Sequence, residues 1–196
     1  MLEFPTNKTI LVLASYRTGS TALCNLISKR TGLLNCDELF HFIANPKLYE
    51  QYQNQNIVVK IMPDQVPTLY WKELIKKSFV IGISRLPIQE QIASYYLAHR
   101  TQHWHFKKLN NNKHDYTIDI ERFDLEDQIR YILKMNAIYQ QQFVPHVNME
   151  IKYETIKSEL DESDYVTYIK PVNYKELLIA INDLLPEILS WNLKND

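Results

Sequence analysis

Glycine is scarce in this chain, with three in 196 residues. That disfavours an ATP or GTP site built on a Walker A loop, which needs an early glycine and a lysine directly before its Ser/Thr. Ala14 stands where that first glycine would lie, and no lysine follows Gly19. Cysteine is equally sparse: Cys24 and Cys36 make neither a disulfide framework nor a spaced set of metal ligands, and no metal is expected. Charge of one sign is lacking too. Lys and Arg number 22 against 23 Asp and Glu, a formal net charge of -1, so no global field recruits nucleic acid or an anionic membrane. Any anion site must be local. No run approaches the roughly 18 apolar residues of a membrane span. The N-terminal apolar run is too short for a signal-peptide core and meets Arg17 at once, so a reducing, cytoplasmic setting is the expectation.

What is present starts with Ile10-Leu11-Val12-Leu13-Ala14-Ser15, followed by Tyr16-Arg17-Thr18-Gly19-Ser20-Thr21. The apolar run reads as a buried parallel strand, and the rest as a tight turn opening a helix. Gly19 lets the backbone turn and approach a ligand closely. Ser20 and Thr21 fall in the first helical turn, where N–H groups and the helix dipole favour an anion, and Arg17 adds a fixed cation. Together these describe a cradle for phosphate or sulfate.

With 45% hydrophobic residues, the chain suits a single domain over 1–196. Strands are predicted near 10–15, 57–62, 79–84 and 149–153, with a short extended piece near 33–36. Helices are predicted near 20–30, 87–100, 125–144 and 173–184, the third stopping at Pro145. A polar surface loop is predicted at 110–115, and Cys24 is expected to be a small core residue. Strands alternating with helices argue for a three-layer α/β domain with a mostly parallel sheet. Ligands of such sheets bind beyond the carboxyl ends of the strands, where the Arg17 turn, Asp64 and Arg85 would lie.

The turn from Arg17 to Thr21, with Arg85, Pro87 and Ser94 in the second motif, resembles the PAPS-dependent sulfotransferase superfamily (PAPS is 3′-phosphoadenosine 5′-phosphosulfate). Within it the chain looks most like the bacterial trehalose-type sulfotransferases. Asp37-Glu38-Leu39-Phe40-His41, Thr101-Gln102-His103-Trp104-His105 and Tyr153-Glu154 carry that likeness, over about residues 9–156. The interval from Arg85 to Ser94 is one residue longer than the usual family spacing, and Met62 stands where many cytosolic sulfotransferases have their histidine.

The resemblance implies a P-loop-like sulfotransferase fold and a reaction that moves a sulfuryl group from PAPS, as co-substrate, to a hydroxyl of a carbohydrate or other small metabolite. Arg17, Thr18, Gly19, Ser20 and Thr21 would hold the 5′-phosphosulfate, and Arg85 with Ser94 the 3′-phosphate, with Lys170 a weak candidate to complete that site. Tyr153 would lie near the adenine, or serve only packing. Glu38 holds the position of the base, although it could be a surface acid, and His41 remains an alternative. Arg17 would neutralise charge on the leaving phosphate. Lys60, Trp104 and His105 would line the acceptor site, although Trp104 could equally be a core aromatic. No nucleic-acid or membrane partner is expected, and a homodimer stays open. Two other readings stay open: a non-catalytic nucleotide-binding protein of the same fold, and a P-loop kinase, which the missing lysine disfavours.

Overall fold

The run Ile10–Ala14 forms strand β1 with every residue buried, as a strand without polar alternation requires when both its faces are covered. The computed structural model describes residues 2–39, 55–65, 74–102, 104, 116–160 and 170–195. His41, His103, His105 and the predicted loop at 110–115 lie outside them. The chain divides into two compact units: Met1–Arg85 with Met135–Tyr165, and Leu86–Lys134 with Val166–Asp196.

The first unit holds an all-parallel five-stranded sheet. The other strands are β2 (Leu34–Asn35), β3 (Ile57–Ile61), β4 (Phe79–Ser84) and β5 (Met149–Lys152), in the order β2-β3-β1-β4-β5. β1 pairs with β3 from Ile10↔Val58 to Leu13↔Ile61, and with β4 from Ile10↔Phe79 to Ala14↔Ile83. Its side chains alternate between two cores. Ile10, Val12 and Ala14 pack in a cluster with Ala22, Leu23, Leu26 and Ile27 of helix α1 (Ser20–Thr31). Leu11 and Leu13 join Leu74, Tyr139 and Phe143 on the opposite face. Helical segments thus cover both faces, and the α/β class read from the alternation is observed.

The second unit holds α2 (Ile88–Thr101), most of α3 (Arg122–Ile138) and α5 (Tyr174–Asn195), and α2 packs on α5. Three boundaries differ from expectation. The α-helical part of α3 ends at Ile138, after which a π-helical turn, Tyr139–Phe143, and a 3-10 turn, Val144–His146, carry the chain through Pro145. The π turn lets Tyr139 and Phe143 both reach the core beneath the sheet. α5 runs past the predicted end at 184 and continues through Pro186. Its buried stripe, Leu177, Ile181, Leu184, Leu185 and Ile188, spans the proline and outweighs its local cost of about 3 kcal/mol. The strand predicted to 153 stops at Lys152, where Tyr153 opens a short helical turn, α4 (Tyr153–Ile156). No helix among the described residues is long and apolar enough to cross a membrane.

Candidate functional site

Because the sheet is parallel, the carboxyl ends of β3, β1 and β4 share one edge. The chain leaves β1 to build β2 and β3 on one side and returns with β4 on the other, so the end of β1 is a topological switch point. There the β1–α1 turn is strongly bent: Arg17 has φ 59° and Gly19, the residue capping α1, φ 84° and ψ 17°. Thr18 steadies the turn by donating its buried hydroxyl to the Ser15 carbonyl at 2.9 Å. No side chain caps α1, and its first turn presents backbone N–H groups that have no intrahelical partner. With Ser20 and Thr21 in that turn, the local chemistry is that of an anion cradle.

Two neighbours frame the turn. Arg85, just past β4, donates from Nη1 to the Arg17 carbonyl at 3.2 Å, and its guanidinium lies 5.0 Å from the centre of the Tyr153 ring. That ring packs on Gly19, where a Cβ would collide with Cδ2 and Cε2. On the other side, Tyr16 donates its hydroxyl to Asp64 Oδ1 at 2.8 Å, tying the turn to the segment after β3.

A second cluster surrounds Lys60. This lysine sits in β3 with 1% exposure, on the α1 side of the sheet, amid apolar residues. Its Nζ lies 2.6 Å from Thr21 Oγ1, 2.8 Å from Glu38 Oε1 and 3.0 Å from Asp37 Oδ1. The second Glu38 oxygen, Oε2, accepts from Gln65 Nε2 at 3.0 Å, while Gln65 Oε1 accepts the Met62 N–H at 3.1 Å. Local geometry delivers the acids. The Asp37 carbonyl accepts the Lys60 N–H at 2.8 Å, continuing the β2–β3 edge, and Asn35 Oδ1 accepts the Asp37 N–H at 2.9 Å. Asp37 then takes φ 43°, which an Asp tolerates better than most residues, and the chain turns to bring Glu38 over β3.

Burial would pull the Lys60 ammonium down, but the Glu38 and Asp37 carboxylates outweigh it and the net shift is upward. Lys60 is therefore charged at neutral pH. Burial pushes the Cys24 thiol, in α1, up to about 12, with the nearby Lys60 opposing and Asp37 and Glu38 adding. Burial also raises Cys36.

Of the residues singled out in the sequence, Arg17, Thr18, Gly19, Ser20, Thr21, Glu38, Lys60, Arg85 and Tyr153 gather at the carboxyl edge of the sheet. Ser94 and Trp104 belong to the second unit: Ser94 is buried in α2, and the Trp104 ring meets Tyr95 edge-on at 5.5 Å. Lys170, also in that unit, lies 4.0 Å from Glu90 and 4.1 Å from the centre of the Tyr174 ring. Sequence reasoning missed Gln65 and the pairing of Lys60 with Asp37 and Glu38. The available signal was a lysine inside an otherwise apolar strand, since a buried cation demands carboxylates.

No protein-family model matches the chain, and no curated protein matches it.

Proposed function

We propose that this chain is a PAPS-dependent sulfotransferase of P-loop-like fold, acting on a hydroxyl of a carbohydrate or other small metabolite. One observation carries the reading. A side-chain-free residue in the left-handed region opens α1 without a side-chain cap, and a guanidinium from the neighbouring strand end is bonded to the same turn. This arrangement fits the phosphosulfate of PAPS, because the unpaired backbone donors of the first turn, with Ser20 and Thr21 in it, stand beside the Arg85 guanidinium, and Arg17 belongs to the same turn.

In this reading PAPS supplies a sulfuryl group that passes to the acceptor oxygen, leaving 3′-phosphoadenosine 5′-phosphate (PAP). Thr18, Gly19, Ser20 and Thr21 hold the 5′ anion, and Arg17 stabilises charge gathering on the leaving phosphate oxygen. Arg85 recognises the 3′-phosphate. Glu38 takes the acceptor proton. Its pairing with Lys60 and Gln65 orients the carboxylate, and each carboxylate oxygen can accept more than one hydrogen bond. Most of the rate enhancement then comes from positioning and fixed charge.

Thermal shift with PAP, ATP and GTP tests the reading, since a ligand stabilises the folded state in proportion to its excess over Kd. A shift with PAP alone supports it. No shift with any nucleotide, or a magnesium-dependent shift with ATP, overturns it.

A further inference from the structure

We propose that Lys60 is a positioning residue that acts on two groups at once: it makes the Thr21 hydroxyl a donor for the anion at α1, and it fixes the Glu38 carboxylate beside it. The proposal rests on the sulfotransferase reading above.

An ammonium has three N–H donors and no lone pair. Lys60 has three oxygens within 3.0 Å, on Thr21, Glu38 and Asp37. Since Lys60 can only donate, Thr21 Oγ1 must be the acceptor between them, and the threonine's own proton is turned away from the ammonium. A hydroxyl that accepts from a cation is polarised into a stronger donor. Thr21 is the second residue of α1, in the turn whose backbone N–H groups make the cradle. The same ammonium grips Glu38 through Oε1, and Gln65 grips it through Oε2. The anion donor and the candidate base are thus one ammonium apart.

Stability alone is a poor reason for a lysine here. At a fully covered strand position, an apolar side chain of similar volume is often as stabilising as a buried ion pair, or more so. What the apolar residue would remove is the link itself. It would also leave Asp37 and Glu38 uncompensated near the cradle, which repels an anion.

The test is a double-mutant cycle on Lys60→Met and Thr21→Val, read as affinity for PAP and for inorganic pyrophosphate by calorimetry, with folding checked by circular dichroism. Each single variant is expected to weaken both probes, Lys60→Met by roughly tenfold or more. The double variant is expected to bind no more weakly than Lys60→Met alone, because Thr21 acts through the lysine. A merely structural lysine would give additive losses, and additivity overturns the proposal. If the wild type binds pyrophosphate and not PAP, the sulfotransferase reading fails, and the pyrophosphate cycle still decides the role of Lys60. If it binds neither, both fall. Should Lys60→Met fail to fold, Thr21→Val and Glu38→Gln form the cycle instead. Glu38→Gln is then expected to change anion affinity less once Thr21 is lost, and equal changes overturn the link.

Discussion

The ring of Tyr153 lies so close to Gly19 that a single methyl group at position 19 would overlap its Cδ2 and Cε2 atoms. Position 19 carries a second constraint, its φ of 84°. Gly19→Ala is therefore expected to destabilise by more than about 1 kcal/mol, the backbone strain and the overlap adding. Adding Tyr153→Ala relieves the overlap and leaves the strain, so chemical denaturation should show only part of the loss recovered. Full recovery would mean that backbone conformation contributes nothing here.

Glu38 offers a way to separate structure from chemistry. Its oxygens face two donors, Lys60 Nζ and Gln65 Nε2. In Glu38→Gln an amide NH2 must face one of them, so this variant alone is expected to lose stability. The exchange Glu38→Gln with Gln65→Glu restores complementarity, since the new carboxylate can accept from the new amide and from the Met62 N–H. The paired variant is expected to regain the wild-type denaturation midpoint while turnover of PAPS falls roughly 10²–10⁴-fold, as loss of a general base requires. Wild-type turnover in the exchanged protein would remove Glu38 from that role.

Arg85→Ala is expected to weaken PAP by roughly tenfold or more and adenosine 5′-phosphosulfate, which lacks the 3′-phosphate, by less. Equal losses would confine Arg85 to holding the Arg17 carbonyl. Competition binding with the two nucleotides distinguishes the outcomes.

In the core, the Tyr139 hydroxyl is buried without a hydrogen-bond partner among the described residues, and burial pushes its ionisation upward. It fits only because Gly82 of β4 has no side chain, as a Cβ there would lie 2.5 Å from the Tyr139 oxygen and 2.9 Å from Val147 Cγ2. Tyr139→Phe is expected to be neutral or stabilising, and Gly82→Ala to cost about 1–3 kcal/mol through overpacking. Urea midpoints check both, and a destabilised Tyr139→Phe would mean that the hydroxyl is satisfied.

Stability should fall on the alkaline side. The Cys24 thiol, raised from 9.0 to about 12, contributes stability that is complete below pH 9.0 and lost between there and about 12. Lys60 is raised as well, so its contribution is whole below the ordinary value of 10.5 and disappears as pH climbs through its higher folded value. Both signs agree. Urea midpoints measured from pH 7 upward should show Cys24→Ala losing less stability than the wild type as the pH passes 9.0. In the native protein at pH 8 Cys24 should not react with a thiol reagent.

Much of the sheet is legible in the sequence because buried parallel strands are plain apolar runs, and β1, β3 and β4 lie within a residue of their predicted limits. The Gly19 turn is legible for the opposite reason, as one glycine in a chain that has few. What the sequence hides is nonlocal. Pro145 reads as a helix stop and the last helix reads as ending near 184, yet packing of Tyr139 and Phe143 carries helical turns through the one proline, and the α5 stripe carries the other helix past Pro186. The Lys60 cluster joins Thr21, Asp37 and Glu38 across gaps of 22–39 residues, and no local periodicity encodes it.

The edge of the sheet beyond β3 has a consequence of its own. β2 is only two residues long, and after it the outer rim of β3 is guarded by the Asp37 carbonyl, which receives the Lys60 N–H. An unguarded strand rim is a template for pairing with another chain. The turn that brings Glu38 over β3 is thus also a stopper against strand-to-strand self-association, and loosening it would be paid in solubility.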